Sequence, residues 1–251
     1  MIRLVSEHAT CPEPGKMRYI VFTVIASLNT EILMANFARY VNMSTTGIES
    51  VKHVDKKTGV SIYRTVAETP LPLTLKTFNN QVTVQILTAD NKQINVKIFR
   101  NGKLQMTGCR GLEDGVEISN KLKSILKDDA MFTTTASDEL KVTNVYIGMI
   151  NSIFHTNFEI NRHALVDLIR STYSSDILTC NFEVNNYQGI SLKKKSKGGN
   201  TNTFLIFRSG KTLITGGKCI ADMEEMFTYI NHLFHVNYDS IVLKKPVIVS
   251  C

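Results

Sequence analysis

The sequence predicts an α+β protein built from two similar halves, each an antiparallel sheet with helices on one face. The first observation is a motif that occurs twice, at residues 98–108 (IFRNGKLQMTG) and at residues 206–216 (IFRSGKTLITG). The two phenylalanines, Phe99 and Phe207, are 108 residues apart, which is close to half of the chain. The second observation is that similar strand and helix patterns surround both copies. Together they indicate an internal duplication, which governs the whole fold assignment.

Each copy of the motif predicts a β-hairpin. The dipeptides Asn101-Gly102 and Ser209-Gly210 are strong turn signals, because glycine adopts the backbone angles of a tight turn at little cost. After the turn, side chains alternate between the two faces of the strand. In the first copy, Gln105 and Thr107 lie on one face and Leu104 and Met106 on the other. In the second copy, Leu213 and Thr215 share a face, and Thr212 and Ile214 lie on the other face.

The flanking elements repeat in the order strand, helix, several strands, helix. Strands are predicted at 19–24 and 142–147, and each is followed by a helix, at 30–43 and 157–169. A further helix follows each hairpin, at 112–126 and 220–234. We predict apolar faces formed by Ile32, Leu33, Phe37, Tyr40 and Val41 in the first helix, and by Val116, Leu122 and Leu126, interrupted by Gly115, in the helix after the first hairpin.

Composition shifts along the chain predict its domain boundaries. We expect an N-terminal arm at 1–16, a first repeat at 17–127, a polar linker at 128–139, a second repeat at 140–243 and a tail at 244–251. The first repeat contains an insertion at about 47–77, in which the alternation of Val60–Tyr63 predicts a strand or hairpin.

Composition also limits the function. The 29 basic and 22 acidic residues give a formal charge of +7, which favours a polyanionic partner. The chain has no apolar run near the roughly 18 residues that cross a bilayer and no signal-peptide core, so we expect an intracellular protein without membrane attachment. Five scattered cysteines without a C-x-x-C pair indicate neither a disulfide framework nor a zinc ribbon.

Catalytic and metal-binding interpretations find little support. His232 and His235 have i, i+3 spacing, but no cysteine or carboxylate pair at ligand spacing accompanies them. The segment Ser209–Lys211 lacks the upstream glycine and the following helix of a P-loop. We therefore predict no enzyme, no metal site and no cofactor.

The duplicated motif resembles that of the TATA-box-binding protein (TBP) family. The second copy, Leu205 to Lys218 (LIFRSGKTLITGGK), is the closer match, and the resemblance extends over about residues 17–240. The looser spacing resembles the divergent versions found in large DNA viruses. The resemblance implies a saddle of two pseudo-symmetric repeats, in which a curved antiparallel β-sheet carries helices on its convex face. Its concave face would lie in a widened minor groove, where aromatic wedges unstack base steps.

The resemblance implies two wedge aromatics in each repeat. Phe99 and Phe207 match the phenylalanine of the motif. The second aromatic begins the preceding strand, and the candidates are Phe78 and Tyr187. Packing in the core is the alternative for each of these rings.

The resemblance also assigns side chains to the floor of the DNA site. Thr107 and Thr215 match the family's threonines, Leu213 stands at an aliphatic position, and Gln105 replaces the corresponding aliphatic residue in the first half. The family uses an asparagine from each half to bond bases. Asn144 matches the second, and Tyr19 stands in place of the first. We therefore expect A·T-biased or shape-driven binding rather than strict recognition of a TATA element.

Basic residues recur in matched pairs and predict a rim that contacts phosphates: Lys103 and Lys211, Arg110 and Lys218, and Arg100 and Arg208. The usual alternative is that such residues are solvated surface charges without a function. The recurrence of all three positions in both halves makes that alternative weaker. Lys193–Lys195 and Lys197 form a basic loop tip, for which phosphate contact and a merely flexible tip stay equally open.

The resemblance implies a general transcription initiation factor. Such a protein binds and bends double-stranded promoter DNA through the minor groove and recruits a TFIIB-like transcription factor and RNA polymerase. It would act in the nucleus, or in a cytoplasmic viral factory or virion if viral. Whether free molecules pair as a homodimer through their concave faces stays open at this point. The alternative is a protein-interaction adaptor that keeps the fold without sequence-specific DNA binding, which Gln105, Tyr19 and Tyr187 favour.

Overall fold

The computed structural model describes residues 10–55, 58–66, 80–127, 130–135 and 138–243. These residues form two compact units. The first unit runs from Val21 to Gly148, and the second unit combines the residues up to position 20 with those from position 149 onward. The boundary falls inside two long strands, β1 (Arg18–Leu28) and β7 (Val142–His155). The predicted C-terminal tail, 244–251, lies outside the described residues.

The first unit contains, within its described residues, β1 and five further strands: β2 (Ile48–Asp55), β3 (Val60–Thr65), β4 (Gln81–Leu87), β5 (Gln93–Phe99) and β6 (Lys103–Cys109). They pair antiparallel in the order β3-β2-β4-β5-β6-β1. Its helices are α1 (Met34–Tyr40), α2 (Met43–Thr46) and α3 (Leu112–Lys127), followed by a 3₁₀ turn at Ala130–Phe132.

The second unit contains, within its described residues, β7 and four further strands: β8 (Thr179–Asn181), β9 (Ile190–Lys195), β10 (Thr201–Ile206) and β11 (Lys211–Gly217). They pair antiparallel in the order β7-β11-β10-β9-β8. Its helices are α4 (Arg162–Thr172), α5 (Ile220–Val236) and α6 (Tyr238–Ile241).

The helices of each unit cover one face of its sheet. In the first unit α3 packs on β1 so closely that a Cβ atom at Gly115 would overlap the side chain of Val24. In the second unit a Cβ atom at Gly217 of β11 would overlap Met223 of α5. The opposite face of each sheet, called here the open face, carries half-buried side chains. The predicted α+β class with helices on one face is confirmed.

The strand registers reveal how the two units correspond. Thr107 of β6 pairs with Thr23 of β1, and Thr215 of β11 pairs with Asn151 of β7. Thr107 and Thr215 are 108 positions apart, whereas Thr23 and Asn151 are 128 positions apart. Equivalent positions in the hairpin strands therefore differ by 108 residues, and those in β1 and β7 differ by 128.

Two details of the predicted helix faces are wrong. In α1, Phe37 is buried, but Leu33, just before the helix, and Tyr40 are 38% and 58% exposed. In α3, Val116 is exposed, although Ile118 and Leu122 are buried. Gly115 does not interrupt the packing of α3, because α3 approaches β1 closely at this residue. A glycine inside a helix costs helical stability but permits such an approach.

The segment at 47–77 contains the predicted hairpin, formed by β2 and β3. By its place in the sheet β2 corresponds to β8, so β3 is the strand without a counterpart in the described part of the second unit. Arg64 fixes β3 by donating hydrogen bonds to the carbonyl oxygens of Arg39 and Val41, at the end of α1, both at 2.8 Å.

The arm and linker predicted from composition both make contacts where they are described. In the arm, the Gly15 amide donates to the His155 carbonyl oxygen at 2.7 Å. In the segment 128–139, Phe132 is buried against Phe37, with ring centroids 5.5 Å apart. This stretch is polar in composition, but one aromatic side chain attaches it to the first unit.

Candidate nucleic-acid interface

The duplicated motif forms a hairpin in each unit, and its turn glycine has a positive φ. The φ angles are +77° at Gly102 and +80° at Gly210. The amides of Gly102 and Gly210 donate to the carbonyl oxygens of Phe99 and Phe207, both at 3.0 Å. Each turn also lies against backbone at the end of β1 or just after β7. A Cβ atom at either glycine would overlap a carbonyl oxygen, of Leu28 in one unit and of Phe158 in the other. Both turns are therefore held in place beside the open face.

The second unit carries two aromatic rings in contact at the edge of its open face. Tyr187 and Phe207 meet edge to face, with centroids 5.8 Å apart and an interplanar angle of 65°. Tyr187 is 46% exposed and Phe207 is half-buried, so neither ring belongs to the core. A Cβ atom at Gly189 would lie 2.8 Å from the Tyr187 ring, so any larger residue there would displace the ring from its present position.

The first unit differs at the same place. Phe99 is half-buried beside the turn, as Phe207 is. The predicted second wedge, Phe78, lies outside the described residues. The position equivalent to Gly189 holds Gln81, a buried side chain whose amide donates to Thr83 at 3.0 Å. A long side chain therefore occupies the place where glycine makes room for the ring pair.

The alternation predicted for the hairpin strands is confirmed. Leu104, Met106 and Ile214 are completely buried. The predicted floor residues point the other way and are half-buried on the open faces: Gln105, Thr107, Leu213 and Thr215. The structure thus brings these four predicted side chains onto the surfaces that adjoin Phe99 and Phe207.

Cross-strand pairing extends each floor beyond the predicted residues. In the first unit one row runs Thr83, Lys97, Gln105, Ile25. In the second unit the equivalent row runs Ser191, Leu205, Leu213, Ile153. The next row of the second unit includes Asn151, whose amide oxygen is buried and has no hydrogen-bond partner among the described residues. These members were not among the predicted site residues, although alternation in the adjacent strands together with the 108-residue offset would have identified most of them.

Asn144 and Tyr19 do not share the offset of the paired strands. The paired stretches 22–27 of β1 and 150–155 of β7 differ by 128 positions, whereas Asn144 and Tyr19 differ by 125. Asn144 has a φ of +53°, a left-handed conformation that asparagine tolerates better than most residues. The pKa of Tyr19 is raised by burial and by the carboxylate of Glu224, which lies on α5. We therefore leave both residues out of the site proposed below.

The predicted phosphate-binding residues fall into different environments. Lys103 and Lys211 are exposed at the start of β6 and β11, and within the described chain neither takes part in an ion pair. Arg100 and Arg208 form loose surface pairs with Glu31 and Glu159, at 3.6 and 3.5 Å. Exposed pairs of this kind contribute little stability.

Arg110 is held by two carboxylates of its own unit. Its guanidinium contacts Asp90 at 2.5 Å and Asp114 at 2.8 Å. These hydrogen bonds lower the pKa of Asp114 to about 2. The equivalent residue, Lys218, is exposed at the start of α5, where its amide donates to Asp222. The charge of Arg110 is already neutralised, so we do not include it among the proposed phosphate contacts.

The basic segment at 193–197 is part of an ordered strand and turn. Lys193–Lys195 end β9, and the Lys194 ammonium lies 4.1 Å from the centre of the Tyr229 ring. The amide of Lys197 donates to the Glu225 carboxylate at 3.0 Å. Lys193 and Lys195 are exposed on the open face, next to Thr203 and Thr201.

A recess lies beside each motif phenylalanine. The recess of the first unit has a volume of about 440 Å³, and that of the second unit has about 550 Å³. Equivalent residues line both: Phe99, Arg100, Asn101 and Lys103 in one, and Phe207, Arg208, Ser209 and Lys211 in the other. The second recess adds Arg162, which lies over the Phe182 ring at 5.1 Å. Each recess thus combines an aromatic wall with two or more cations.

Among the described residues there is no group of three or more histidine, cysteine or acidic side chains placed to hold a metal ion. His232 and His235 are both exposed on α5. In the same part of the chain no helix has the length and apolarity needed to cross a bilayer.

Comparison with known proteins gives two relatives. A viral protein described as TATA-box-binding protein-like, from Acanthamoeba polyphaga mimivirus, is 27% identical over 241 residues. That alignment covers 87% of this chain and 65% of the length of the relative. Among solved structures, Methanococcus jannaschii TBP is 18% identical with a TM-score of 0.50, over 88% of this chain and 97% of that chain. No family model matches the sequence.

The predicted resemblance to the TATA-box-binding protein family, and to a viral version of it, is confirmed by these relatives. The predicted fold is confirmed as well, because the solved structure matches nearly the whole of both chains.

Proposed function

We propose that this chain is a TBP-like transcription initiation factor that binds and bends promoter DNA through the minor groove. The observation that carries the proposal is the exposed ring pair of Tyr187 and Phe207 on a duplicated hairpin bordered by cations. Aromatic side chains at the edge of a minor-groove surface unstack base steps and kink the duplex. In the first unit Phe99 would act at the equivalent place.

The open faces supply the surface that follows the groove. Their central residues are aliphatic side chains, threonines, amides and, in the first unit, Lys97, which suit base edges that present mainly hydrogen-bond acceptors. Lys103 and Lys211 would contact phosphates, together with Arg100, Arg208 and Lys218. Each contact places a basic side chain beside a DNA phosphate. The counterions that had neutralised that phosphate are then released into solution.

The helix-covered faces would remain available to protein partners. Val116 of α3 and Ile220 and Val236 of α5 are exposed apolar side chains on these faces. By analogy with the named relative, we propose a TFIIB-like transcription factor and RNA polymerase as the partners. A supershift of the DNA complex on addition of the purified factor tests this part of the proposal. The setting would be intracellular, in the nucleus or in a viral factory.

DNA bending is tested by fluorescence energy transfer between dyes at the two ends of a duplex. An A·T-rich duplex and a G·C-rich duplex are titrated with the protein across a salt series. We expect a large increase in transfer, greatest for the A·T-rich duplex, because kinking brings the ends together. The double substitution Phe99→Ala and Phe207→Ala should abolish the increase.

Tyr40→Ala is the matched control, since Tyr40 is an exposed aromatic residue on α1 rather than on an open face. This variant should bend DNA normally. Salt-sensitive binding without any change in energy transfer would contradict the wedge function. Unchanged bending by the double variant would mean that residues other than Phe99 and Phe207 bend the DNA.

The adaptor function is the second candidate, and the polar side chains of Lys97 and Gln105 on the first open face favour it. Under this alternative the fold serves protein binding alone. Substituting both Lys103 and Lys211 with glutamate separates the two. The double variant should lose DNA binding if the chain is a DNA-bending factor, whereas an adaptor would keep its partner and never bind the duplex.

A further inference from the structure

In one cross-strand row, the two open faces differ at the two adjacent middle positions. In the row described above, the outer members are alike: Thr83 corresponds to Ser191, and Ile25 corresponds to Ile153. The two middle members are Lys97 and Gln105 in the first unit, and Leu205 and Leu213 in the second. All four middle side chains are half-buried, so they form surface rather than core.

On a face that binds DNA, the chemistry of the middle pair influences which base pairs are accepted. In the minor groove A·T and T·A present only acceptors, and G·C adds the guanine 2-amino donor. Two leucines offer no acceptor to that amino group, which would lose its water without replacement. A G·C pair pressed against Leu205 and Leu213 is therefore penalised.

Lys97 and Gln105 behave differently. The amide oxygen of Gln105 accepts a hydrogen bond from a guanine amino group, and its NH₂ group donates to the acceptors that every base pair presents. The Lys97 ammonium donates to the same acceptors. This pair satisfies G·C about as well as A·T.

We infer that the DNA site is asymmetric, with A·T pairs required against the second unit and G·C pairs accepted against the first. This inference rests on the proposed DNA-binding function. It assigns to Leu205 and Leu213 the selection of A·T, and to Lys97 and Gln105 the tolerance of G·C. The asymmetry of the ring wedges, with Gly189 in one unit and Gln81 in the other, adds a second difference between the two ends.

A single-substitution scan of an all-A·T duplex tests the inference. Each base pair is changed in turn to G·C, and the affinity of the unmodified protein is measured by competition. We expect the sensitive positions to cluster at one side of the site, each weakening binding about ten- to a hundredfold. Positions on the other side should change binding by less than about threefold. Equal sensitivity on both sides would overturn the inference.

Reciprocal exchange of the middle pair assigns the effect to these residues. Lys97→Leu with Gln105→Leu should make the tolerant side sensitive, and Leu205→Lys with Leu213→Gln should make the sensitive side tolerant. Circular dichroism establishes whether each variant is folded. The base-pair scan of the unmodified protein tests the inference even if a variant does not fold. Unchanged profiles in both folded variants would overturn the assignment. A protein that binds no duplex even at low salt would contradict the proposed function itself, and this inference with it.

Discussion

Arg110 illustrates how local contacts change the role that a residue's position in a motif suggests. It follows the repeated Thr-Gly and is equivalent to Lys218, so its position suggested a phosphate contact. In the structure its guanidinium contacts Asp90 and Asp114, and the backbone amide of Arg110 also donates to Asp114 at 2.7 Å. The carboxylate lies at the start of α3, where a negative charge is favourable. Arg110 therefore joins a turn to a helix.

Asp114 should give the first unit a defined acid sensitivity. Its pKa is lowered to about 2, first by the hydrogen bond from Arg110, so the ionised carboxylate stabilises the folded state. The stabilisation is complete above the pKa of about 4 in the unfolded chain and is lost as the pH falls toward 2. Asp114→Asn should lower the free energy of unfolding by about 2 kcal/mol at neutral pH.

Urea unfolding at a series of pH values measures this effect. The difference between the unmodified protein and Asp114→Asn should vanish near pH 2, while Asp167→Asn, at an exposed position on α4, should change little throughout. A difference that stayed constant with pH would contradict the role of the ionised carboxylate.

At the scale of the element, the hairpin turn is set by its glycine. Gly210 has a φ of +80°, and its α-carbon faces backbone atoms of the segment after β7. Gly199 has nearly the same φ, +83°, but a Cβ atom there would meet nothing within 4 Å. Alanine substitutions at the two glycines therefore distinguish the free-energy cost of the left-handed backbone conformation from the cost of steric overlap.

We expect Gly199→Ala to cost about 1 kcal/mol, from the left-handed conformation alone. Gly210→Ala should cost about 2 kcal/mol more, because overlap with a carbonyl oxygen forces the backbone to move. Thermal or urea unfolding of both variants provides the comparison. Equal costs would mean that the turn is not held against the neighbouring segment.

The ring pair gives a second prediction at this scale. Gly189→Ala places a Cβ atom 2.8 Å from the Tyr187 ring and should displace it from Phe207. End-to-end energy transfer on the A·T-rich duplex should then fall to less than half, because one kink loses its two-ring wedge. Gly198→Ala is the control, since its nearest contact would be an ordinary 3.4 Å. Normal bending by the Gly189 variant would show that the pair is dispensable.

At the scale of the molecule, the net charge of +7 favours DNA but does not show which cations bind it. Each phosphate contact contributes about 0.9 to the slope of log affinity against log salt concentration. Lys103→Ala with Lys211→Ala should therefore reduce that slope by about 2.

Arg110→Ala removes a charge of the same sign and should leave the slope nearly unchanged, because Asp90 and Asp114 already neutralise it. Binding isotherms at four or more salt concentrations give both slopes. A loss of slope in Arg110→Ala equal to that of a lysine variant would show that its ion pairs open on DNA.

The sequence by itself determined the duplication, the hairpins, the order of the elements and the face assigned to Gln105, Thr107, Leu213 and Thr215. These features depend on local physics. Turn glycines and the alternation of side chains along a strand can be recognised from neighbouring residues. A repeated motif can be recognised without any three-dimensional information.

Tertiary structure decided what depends on residues far apart in the chain. The partners of Arg110, the neighbours of Gln105 in other strands and the register that separates Asn144 from Tyr19 all follow from strand pairing and packing. Tyr187 and Phe207 likewise come into contact from separate segments of the chain, beside Gly189. Cross-strand contacts join positions through hydrogen bonds between separate segments, and a single sequence carries no direct record of that pairing.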